Sequence, residues 1–317
     1  MDILLTGSVA YDYLMTFPGH FKEQILPERL ESISLSFLVE SMTRQRGGVA
    51  PNIAYSMALL GTRPRVMATV GEDFEEYRSW LEANGVDTSL MRVIPGVFTA
   101  SFFATTDQAN AQIASFYPGA MGHAGSQSLK ELPSKPELVL VSPNEPGAMT
   151  KFAAESRELG IPYLYDPSQQ VLRLDGNELA RDMEGAHFLF CNDYEFGLIS
   201  KKTGWSLDQM LDHVKILVIT RGKDGADLYI GSDSVHIPTV PEDEIVDPTG
   251  VGDAFRGGFL AGFSRGFEWQ LCGQIGSLAA VYVLEQNGTQ NHSYTRDEFV
   301  TRFRKHFDDA GKLDSLL

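Results

Sequence analysis

The sequence predicts an α/β fold in which helices flank a doubly wound, mostly parallel sheet. Short apolar segments recur along the 317-residue chain. Several are apolar at consecutive positions, as strands buried on both faces are. Helical segments lie between them, and this alternation is typical of doubly wound sheets. Two stretches, 11–46 and 97–118, break the alternation and predict a second, smaller structural unit.

The predicted strands of the main sheet are short apolar segments, and the predicted helices between them begin or end at residues that favour helix ends. Pro51 suits a first helical turn, and Gly61, Gly85 and Gly160 each follow a last turn. The predicted strands are residues 2–7, 65–71, 137–142, 162–166, 186–192 and 216–222. The predicted helices are residues 51–61, 73–85, 148–160 and 268–288, with a further apolar helical run after Phe255.

The two stretches that interrupt this pattern contain no convincing crossover helix. Residues 97–118 read as a β-hairpin with its turn near Asp107–Asn110. Pairing of the two stretches would form a small separate sheet. We therefore predict a large α/β domain, residues 1–10, 47–96 and 119–317, and a β-sheet lid, residues 11–46 and 97–118.

Charge and composition exclude several classes of function. The chain carries 42 acidic and 26 basic residues, a net charge of −16. Nucleic-acid binders usually present basic patches, so we predict no nucleic-acid partner. A small phosphate ligand remains compatible with this charge, provided that local amides, a cation or a metal hold it.

The chain shows no feature of an exported, zinc-binding or membrane protein. Its only two cysteines, Cys191 and Cys272, lie in apolar runs and suit a reducing compartment. The N-terminal MDILLTGS resembles a short strand and not a signal peptide. No apolar run approaches the roughly 18 residues that span a membrane. We predict a cytoplasmic protein without a membrane partner.

The segment DPTGVGDAF, Asp247–Phe255, combines exposed backbone with a carboxylate. A helix beginning near Gly250 would have free N–H groups, and Gly250 and Gly252 would let an anion approach them. Asp253 could then accept a proton from an alcohol beside a bound phosphoryl group. The alternatives are a glycine-rich turn and an ordinary first-turn acid.

Two other segments carry candidate ligand contacts. In RGGVAPNIAYSMALLG, residues 46–61, Gly48 and Asn52 could bind a hydroxylated ligand, or could form only a hinge and a helix start. In CNDYEFG, residues 191–197, Asn192 and Glu195 lie one helical turn apart. They could organise water molecules on Mg²⁺ or form a capping box.

A fourth segment, VITRGKDGADLY, residues 218–229, contains a strand followed by a glycine-marked loop. Thr220, Gly222 and Gly225 could contact a nucleotide. A plain hairpin explains the same pattern equally well. Each of the four segments is therefore weak evidence of a ligand site when it is considered alone.

Taken together and in this order, the segments resemble the ribokinase, or PfkB, family of carbohydrate and nucleoside kinases. The stretch from Gly47 to Gly71 and DPTGVGDAFRGGFL resemble its two sequence signatures, while NDYE and ITRGKDG resemble two further elements. Val251 departs from the small residue that is usual there. Additional segments, among them TGSVAYDYLMTFPG, IASFYPGAM, DPSQQ and NGTQ, are similar to those of bacterial ribokinase-like adenosine kinases.

The resemblance implies a ribokinase-like fold with a β-sheet lid, and an enzyme that transfers the γ-phosphoryl group of ATP to the 5′-hydroxyl of a nucleoside. Adenosine is the expected acceptor and AMP the product. Mg²⁺ and possibly K⁺ are the implied ions. Two alternatives stay open: a sugar kinase acting on ribose, a hexose or a hexose phosphate, and a nucleoside-binding protein without catalytic activity.

The resemblance also implies roles for individual residues. Asp253 would be the catalytic base, and the amides of Gly250, Val251 and Gly252 would form the anion hole. Phe102 and Phe116 would sandwich the purine from the two arms of the hairpin. The predicted nucleoside-binding residues are Ser8, Asp12, Gly48, Asn52, Phe102, Phe116, Gln169 and Gln170.

The same resemblance assigns the nucleotide and the ions. The residues expected to contact ATP are Asn192, Thr220, Gly222 and Gly225. Glu195 would hold Mg²⁺ through water. Asp247, Thr249 and Gly288 would surround a K⁺ ion. The expected partners are a nucleoside and ATP, and the apolar strands of the lid predict a homodimer that forms through it.

Overall fold

The computed structural model describes residues 1–317, and its strands form three sheets. The strands are short, as is usual where helices cross between them. In chain order they are β1 Ile3–Thr6, β2 Ala10–Thr16, β3 Ser41–Gly47, β4 Arg65–Met67, β5 Thr69–Val70, β6 Arg92–Val93, β7 Ala100–Thr106, β8 Gln112–Tyr117, β9 Leu138–Val141, β10 Tyr163–Tyr165, β11 Phe188–Asn192, β12 Ile216–Thr220, β13 Ala226–Ile230 and β14 Asp233–Ile237.

Ten α-helices accompany these strands, with short 3₁₀ turns between some of them. No helix is both long and apolar enough to cross a membrane. The helices are α1 Phe21–Gln24, α2 Val49–Leu59, α3 Glu75–Ala83, α4 Pro146–Glu158, α5 Gly176–Met183, α6 Asp193–Thr203, α7 Leu207–His213, α8 Val251–Phe263, α9 Trp269–Leu284 and α10 Arg296–Phe303.

The large sheet contains eight strands in the order β14-β13-β12-β11-β10-β9-β1-β4. All neighbours from β12 to β4 run parallel, and β13 and β14 add an antiparallel edge. Every residue of β9, with the sequence LVLV, is buried, because helices cover both faces of the sheet. Two clusters of apolar side chains, one on each face, form most of the core.

The small sheet contains four strands in the order β3-β2-β7-β8. The chain leaves the large sheet after β1 and enters β2 within a few residues, so the two sheets are joined directly. The hairpin turn between β7 and β8 is held by Asp107, whose Oδ1 accepts hydrogen bonds from the amides of Ala109 and Ala111 at 2.8 and 2.9 Å. The turn thus lies where the sequence predicts it.

One row of side chains crosses the whole small sheet. Asp12 on β2 pairs with Gln45 on β3 and with Phe102 on β7, and Phe102 pairs with Phe116 on β8. Residues that are paired in register point to the same face of a sheet. Asp12, Phe102 and Phe116 therefore lie on one face, in line, one strand apart from each other.

Helices α8 and α9 pack closely, because glycines bring their backbones together. A Cβ atom placed on Gly258 would lie 2.8 Å from the Cα of Gly276 and 2.8 Å from the carbonyl oxygen of Ile275. Such distances leave no room for a side chain. This contact holds α8 against α9. The N-terminus of α8 lies in the segment DPTGVGDAF, in which we predicted an anion site and a base.

The predicted fold class is confirmed by this architecture. Each predicted strand of the main sheet is present, although residues 65–71 divide into β4 and β5, which belong to different sheets. The predicted helices are present as α2, α3, α4 and α9, and each differs from its prediction by a few residues at the ends. The strands β2, β3, β7 and β8 fall within the two stretches that we predicted to form a separate sheet, apart from Ala10 at the start of β2 and Gly47 at the end of β3.

Candidate functional site

A cavity of about 730 Å³ lies between the small sheet and the carboxyl ends of the parallel strands of the large sheet. This is the edge where parallel α/β sheets usually bind ligands. The cavity brings together residues that lie far apart in the sequence. The predicted site residues that line it are Ser8, Asp12, Gly48, Asn52, Phe102, Phe116, Gln169, Gln170, Asn192, Glu195, Thr220, Thr249, Gly250, Gly252 and Asp253.

The N-terminus of α8 presents free amides to this cavity. Gly250 precedes the helix with a φ of 79°, and a Cβ there would lie 2.8 Å from Cγ2 of Thr289, so only glycine fits. The amides of Gly250 and Gly252 donate no hydrogen bond within the protein. They and the helix dipole favour an anion at this position.

The amide of Val251, which we predicted to belong to the anion hole, faces the protein instead of the cavity. It points back towards the carbonyl oxygen of Pro248, at a distance of 3.4 Å, and the residue does not line the cavity. The amide of Asp253, by contrast, has no partner within the protein. The free donors at this helix end therefore belong to Gly250, Gly252 and Asp253. Sequence similarity assigned the donor amides by position alone. It could not show that the turn before α8 would direct the amide of Val251 to a carbonyl oxygen of the protein.

The carboxylate of Asp253 is held by a side chain from another helix. Its Oδ2 accepts a hydrogen bond of 2.8 Å from Nδ2 of Asn52, in the first turn of α2. Desolvation raises the pKa of Asp253 to about 6, and Glu195 adds to this effect, while Arg256 and the hydrogen bond from Asn52 oppose it. Asp253 is thus a carboxylate with a pKa near neutrality beside free amides.

Arg256 lines the cavity next to Asp253 and belongs to a buried ion pair that was not predicted from the sequence. Arg256 lies one turn further along α8 and binds Asp166 through Nη2–Oδ1 at 2.8 Å and an Nε–Oδ2 approach of 2.6 Å. Burial raises the pKa of Asp166, and the guanidinium group of Arg256 acts against this. Because the two residues are 90 positions apart, only the fold reveals the pair. Arg256 supplies a fixed positive charge to an otherwise acidic site.

The small sheet forms the opposite wall. Asp12, Phe102 and Phe116, the row described above, all line the cavity. Desolvation raises the pKa of Asp12 to about 6, and the negative charge of Asp247 contributes to this rise.

The aromatic pair lies on two neighbouring strands of the small sheet. Phe102 and Phe116 are directly opposite each other on neighbouring antiparallel strands. Both rings therefore lie on the same side of the sheet, where cross-strand side chains are adjacent. Both rings therefore face the cavity from one face of the sheet, and the sandwich of a purine between them stays a prediction. Pairing of strands fixes this result, and the residue types alone did not reveal it.

Residues at the ends of β1 and β10 complete the wall that faces the small sheet. Ser8 Oγ accepts from the amide of Val49, and Gly48, with a φ of 96°, brings its backbone within reach of Ser8 and Ala10. Gln170 is buried, and its Nε2 donates to the carbonyl oxygen of Asn144 at 2.8 Å. Its Oε1 has no partner within the protein.

Gln169 and the strand ends of β11 and β12 extend the cavity outwards. Gln169 is exposed at the rim, where its Oε1 accepts from Ser168. Asn192 and Glu195 form a complete capping box at the start of α6, with Glu195 N–Asn192 Oδ1 at 2.7 Å and Asn192 N–Glu195 Oε2 at 2.9 Å. The capping interpretation is therefore correct, and both side chains also line the cavity.

Two residues predicted to contact ATP lie outside the cavity. Thr220, at the end of β12, lines it, but Gly222 and Gly225 do not. Gly225 has a φ of 86°, and a Cβ there would lie 2.1 Å from the carbonyl oxygen of Ile237. Its glycine is thus required by the turn that precedes β13. The plain hairpin considered from the sequence accounts for this part of the segment.

The residues predicted to surround a cation meet at one point. Asp247 Oδ1 accepts from the amide of Thr249 at 2.9 Å, and its Oδ2 accepts from the amide of Gly288 at 3.0 Å. Desolvation would raise the pKa of Asp247, but these hydrogen bonds outweigh it and lower the pKa. Both carboxylate oxygens are already engaged, so a K⁺ ion here would depend on backbone carbonyl oxygens.

The carboxylates do not form a cage for a divalent metal. No group of three or more His, Cys, Asp or Glu side chains lies close enough together to hold a metal ion directly. Mg²⁺ keeps several water molecules and commonly binds through one or two carboxylates together with phosphate oxygens. Glu195 fits that mode, because it lines the cavity and only its Oε2 is used in the capping box.

Free amides at a helix start, a carboxylate beside them and a cavity at the carboxyl edge of an α/β sheet are together typical of small-molecule kinases. The model of the pfkB family carbohydrate kinases matches residues 6–296. The chain belongs to this family, and the family predicted from the four sequence segments is confirmed.

Several relatives are similar to this chain over nearly their whole length. The nucleoside kinase of Methanothermobacter thermautotrophicus is 30% identical over 95% of both chains. The structure of Burkholderia thailandensis nucleoside kinase in complex with inosine is 39% identical, has a TM-score of 0.85 and covers 96% of this chain and 98% of its own. The nucleoside kinase structure from Methanocaldococcus jannaschii has a TM-score of 0.87 at 28% identity and covers 96% and 99%.

Proposed function

We propose that this protein is an ATP-dependent nucleoside kinase that phosphorylates the 5′-hydroxyl group of its acceptor. The observation that carries the proposal is the position of Asp253, whose carboxylate lies at the N-terminus of α8 beside the unpartnered amides of Gly250 and Gly252. A base that directly follows an anion site in the chain suits an alcohol attacking a phosphoryl group. Similarity to nucleoside kinases over nearly the whole chain supports the same activity.

The acceptor side of the cavity favours a nucleoside over a free sugar. Asp12 supplies a carboxylate that can accept hydrogen bonds from ribose hydroxyls, and Phe102 and Phe116 supply an aromatic surface on which a base can stack. Gln170 Oε1 is a buried acceptor without a partner, which suits an N–H group of a base. We propose a purine nucleoside, with adenosine as the first candidate.

The chain's own residues would act mainly by positioning and electrostatics. Asp253 would orient the 5′-hydroxyl and accept its proton, while the free amides of Gly250 and Gly252 would stabilise negative charge on the transferring group. When bound, Mg²⁺ would neutralise charge on the phosphates, with Glu195 holding it through water. Asp247, Thr249 and Gly288 are the proposed surroundings of a K⁺ ion.

Nucleotide contacts and assembly follow from the same proposal. Asn192 and Thr220 would contact the phosphates of ATP. The small sheet would act as a lid that excludes water from the acceptor. Two copies would pair through its exposed edge, and the site of action would be the cytoplasm.

An ATP-consumption assay over a panel of acceptors tests the proposal. Adenosine, inosine, cytidine, ribose and fructose 6-phosphate would each be supplied with Mg²⁺ and ATP, and the phosphorylated product would be identified by mass spectrometry. We expect 5′-phosphorylation of a purine nucleoside with the highest kcat/KM. Turnover of ribose or fructose 6-phosphate alone would indicate a sugar kinase, and nucleoside binding without turnover would indicate a binding protein.

A further inference from the structure

We propose that Gln290 is a positioning residue for Asp253 that acts through Asn52, and that it leaves Oδ1 of Asp253 as the atom that accepts the hydroxyl proton. The inference rests on the proposed function, because it assigns the basic atom within the proposed catalytic base. Gln290 is the last residue of NGTQ, one of the segments that carry the resemblance, but the sequence alone assigns it no role. The inference depends on a chain of hydrogen bonds that runs from the protein interior to the cavity.

The chain of hydrogen bonds has four links. Tyr77 Oη donates to the carbonyl oxygen of Gly47 at 2.9 Å. Gln290 Nε2 lies 2.6 Å from Tyr77 Oη and 2.6 Å from Asn52 Oδ1, and donates to both. Asn52 Nδ2 donates to Asp253 Oδ2 at 2.8 Å. The links join α3, the loop after α9, α2 and α8.

The first link fixes the direction of all the others. A backbone carbonyl oxygen can only accept, so the Tyr77 hydroxyl commits its single hydrogen to Gly47 and can only accept from Gln290. The group of Gln290 that faces Tyr77 must therefore be its NH₂ group. The same NH₂ group reaches Asn52, whose nearer atom must then be its carbonyl oxygen. The NH₂ group of Asn52 is consequently turned towards Asp253.

A reversed amide at Gln290 would break two links at once. Its carbonyl oxygen would face the carbonyl oxygen of Asn52 without a proton between them, or would force Asn52 to reverse as well. A reversed Asn52 would then present an oxygen to the ionised carboxylate of Asp253. Both arrangements place acceptors against acceptors. The observed orientation is the one that supplies Asp253 with a donor.

Burial makes this chain effective. Tyr77, Gln290 and Asn52 are 1%, 3% and 5% exposed, so water cannot easily replace a missing donor. Gln290 Oε1 is buried without a partner. An unsatisfied buried acceptor is unfavourable. This cost is offset because the NH₂ group of the same Gln290 amide donates to both Tyr77 and Asn52.

The consequence for Asp253 is that its two oxygens are not equivalent. Oδ2 accepts the hydrogen bond from Asn52 Nδ2 and is therefore the poorer base. Oδ1 receives no hydrogen bond from any side chain and is left for the acceptor hydroxyl. Gln290 touches neither acceptor nor nucleotide in this scheme. It acts only by holding Asn52 in one of two amide orientations.

A double-mutant cycle tests the proposal. The variants are Gln290→Met, which keeps the side-chain length and removes both donors, Asn52→Ala, and the two combined. We expect Gln290→Met to lower kcat roughly 10- to 100-fold, because a misaligned catalytic group has losses of this order, with the KM for ATP unchanged. In the Asn52→Ala background the same change should alter kcat less than twofold, since Gln290 acts through Asn52.

The result that would overturn the proposal is an equal loss in both backgrounds, or wild-type kcat in Gln290→Met. A matched control is Gln127→Met, since Gln127 is also buried and donates to a carbonyl oxygen, that of Leu90, away from the cavity. It should retain wild-type kcat. Thermal melting of each variant separates loss of folding from loss of alignment.

If Gln290→Met does not fold, Tyr77→Phe replaces it in the cycle, because loss of the hydroxyl removes the group that fixes the amide orientation. We expect Tyr77→Phe to lower kcat in the wild-type background but not in the Asn52→Ala background. Equal losses of kcat in the two backgrounds would contradict the proposal. Failure of the proposed function is distinct. It would appear as wild-type protein without transfer to any nucleoside, whereas failure of the inference alone leaves wild-type turnover intact.

Discussion

Asp253 occupies a position that is unfavourable for a charged group and useful for a base. Desolvation disfavours its ionised form, while Asn52 and Arg256 favour it. A base works best when its pKa lies near the working pH, because it must be ionised and yet still bind a proton. The balance of these neighbours places Asp253 in that range.

Replacement of Asp253 by Asn should remove the base while keeping the shape of the site. We expect kcat to fall on the order of 10²-fold or more, with little change in the nucleoside KM. The melting temperature at pH 7.5 should rise, because a carboxylate with a raised pKa is ionised at a cost in the folded protein at that pH.

Steady-state kinetics and thermal melting check both outcomes, with Asp212→Asn as a control at an exposed carboxylate. Near-wild-type turnover in Asp253→Asn would remove this residue from the role of base.

The pH dependence of kcat/KM should reflect two carboxylates. The pKa values of Asp12 and Asp253 are both raised to about 6. As the pH falls through 6, both become protonated, so Asp253 can no longer accept a proton and Asp12 loses an acceptor for hydroxyl groups. We expect kcat/KM to fall below about pH 6 with a slope greater than one.

The matched variant for this profile is Asp12→Asn, which should reduce the slope towards one while Asp253 still titrates. Rates would be measured from pH 5 to 8 at saturating Mg²⁺ and ATP. A flat profile down to pH 5 would contradict the assigned roles of both carboxylates.

His292 should make the folded protein sensitive to acid. It is 1% exposed, and neither ring nitrogen has a partner. Burial lowers its pKa to about 4, so the unfolded chain binds a proton more readily than the folded chain. Stability is therefore lost as the pH falls from the ordinary pKa of 6.5 towards 4, by up to about 3 kcal/mol from this residue.

Urea unfolding of wild-type protein and His292→Phe at pH 7.5 and pH 5 measures this effect. Phe keeps an aromatic ring beside Tyr55 and Tyr294 and cannot be protonated. The variant should lose less free energy of unfolding than the wild type between the two pH values. Equal losses would show that His292 remains neutral or gains a partner.

Among the elements, helix α8 carries the groups to which we assign the proposed chemistry. Its first turn carries the free amides and Asp253, and its middle lies against α9 at Gly258. A displacement of α8 would move the base and the anion site together. The glycine contact in the middle of the helix is therefore connected to function through the rigidity of the helix.

Gly258→Ala should destabilise the protein, because the added Cβ would lie 2.8 Å from backbone atoms of α9. We expect a loss of about 1–3 kcal/mol in the free energy of unfolding, typical of overpacking. The control is Gly197→Ala in α6, where a Cβ meets nothing within 4 Å. That change should be neutral or stabilise the helix by up to about 1 kcal/mol. Similar effects of the two substitutions in urea unfolding would contradict the packing argument.

The elements that carry a local pattern could be predicted from the sequence. Apolar runs indicated the strands of the large sheet, and Gly250 with Asp253 indicated a helix start with free amides. Contacts between distant segments could not be predicted. Asp166 with Arg256 and Gln290 with Asn52 are 90 and 238 residues apart, and neither pair has a local signal. A turn and a ligand contact favour the same residue type, so the contact of Gly222 and Gly225 with ATP stays a prediction.

At the scale of the whole molecule, the small sheet leaves two edges without a neighbour. Strand β8 pairs only with β7, and all six of its residues are exposed, among them Ile113. Open, partly apolar edges favour pairing with another strand. The edge is therefore consistent with the homodimer that we propose.

Ile113→Lys should convert the dimer to a monomer, because a charged residue on an edge strand opposes pairing. Light scattering coupled to size-exclusion chromatography measures the mass, and Val93→Lys, another exposed apolar position but on β6, serves as the control. A wild-type protein that is monomeric at micromolar concentration would contradict the proposed dimer.

The row formed by Asp12, Phe102 and Phe116 spans a fixed distance across the small sheet. Neighbouring strands lie about 4.8 Å apart, so two strand spacings, roughly 10 Å, separate the carboxylate from the outer ring. A ribose held at Asp12 is too short to reach the outer ring, whereas a ribose with an attached base can extend across both spacings. In the proposed function, the hydrogen-bonded register of the sheet would therefore distinguish acceptors by their length.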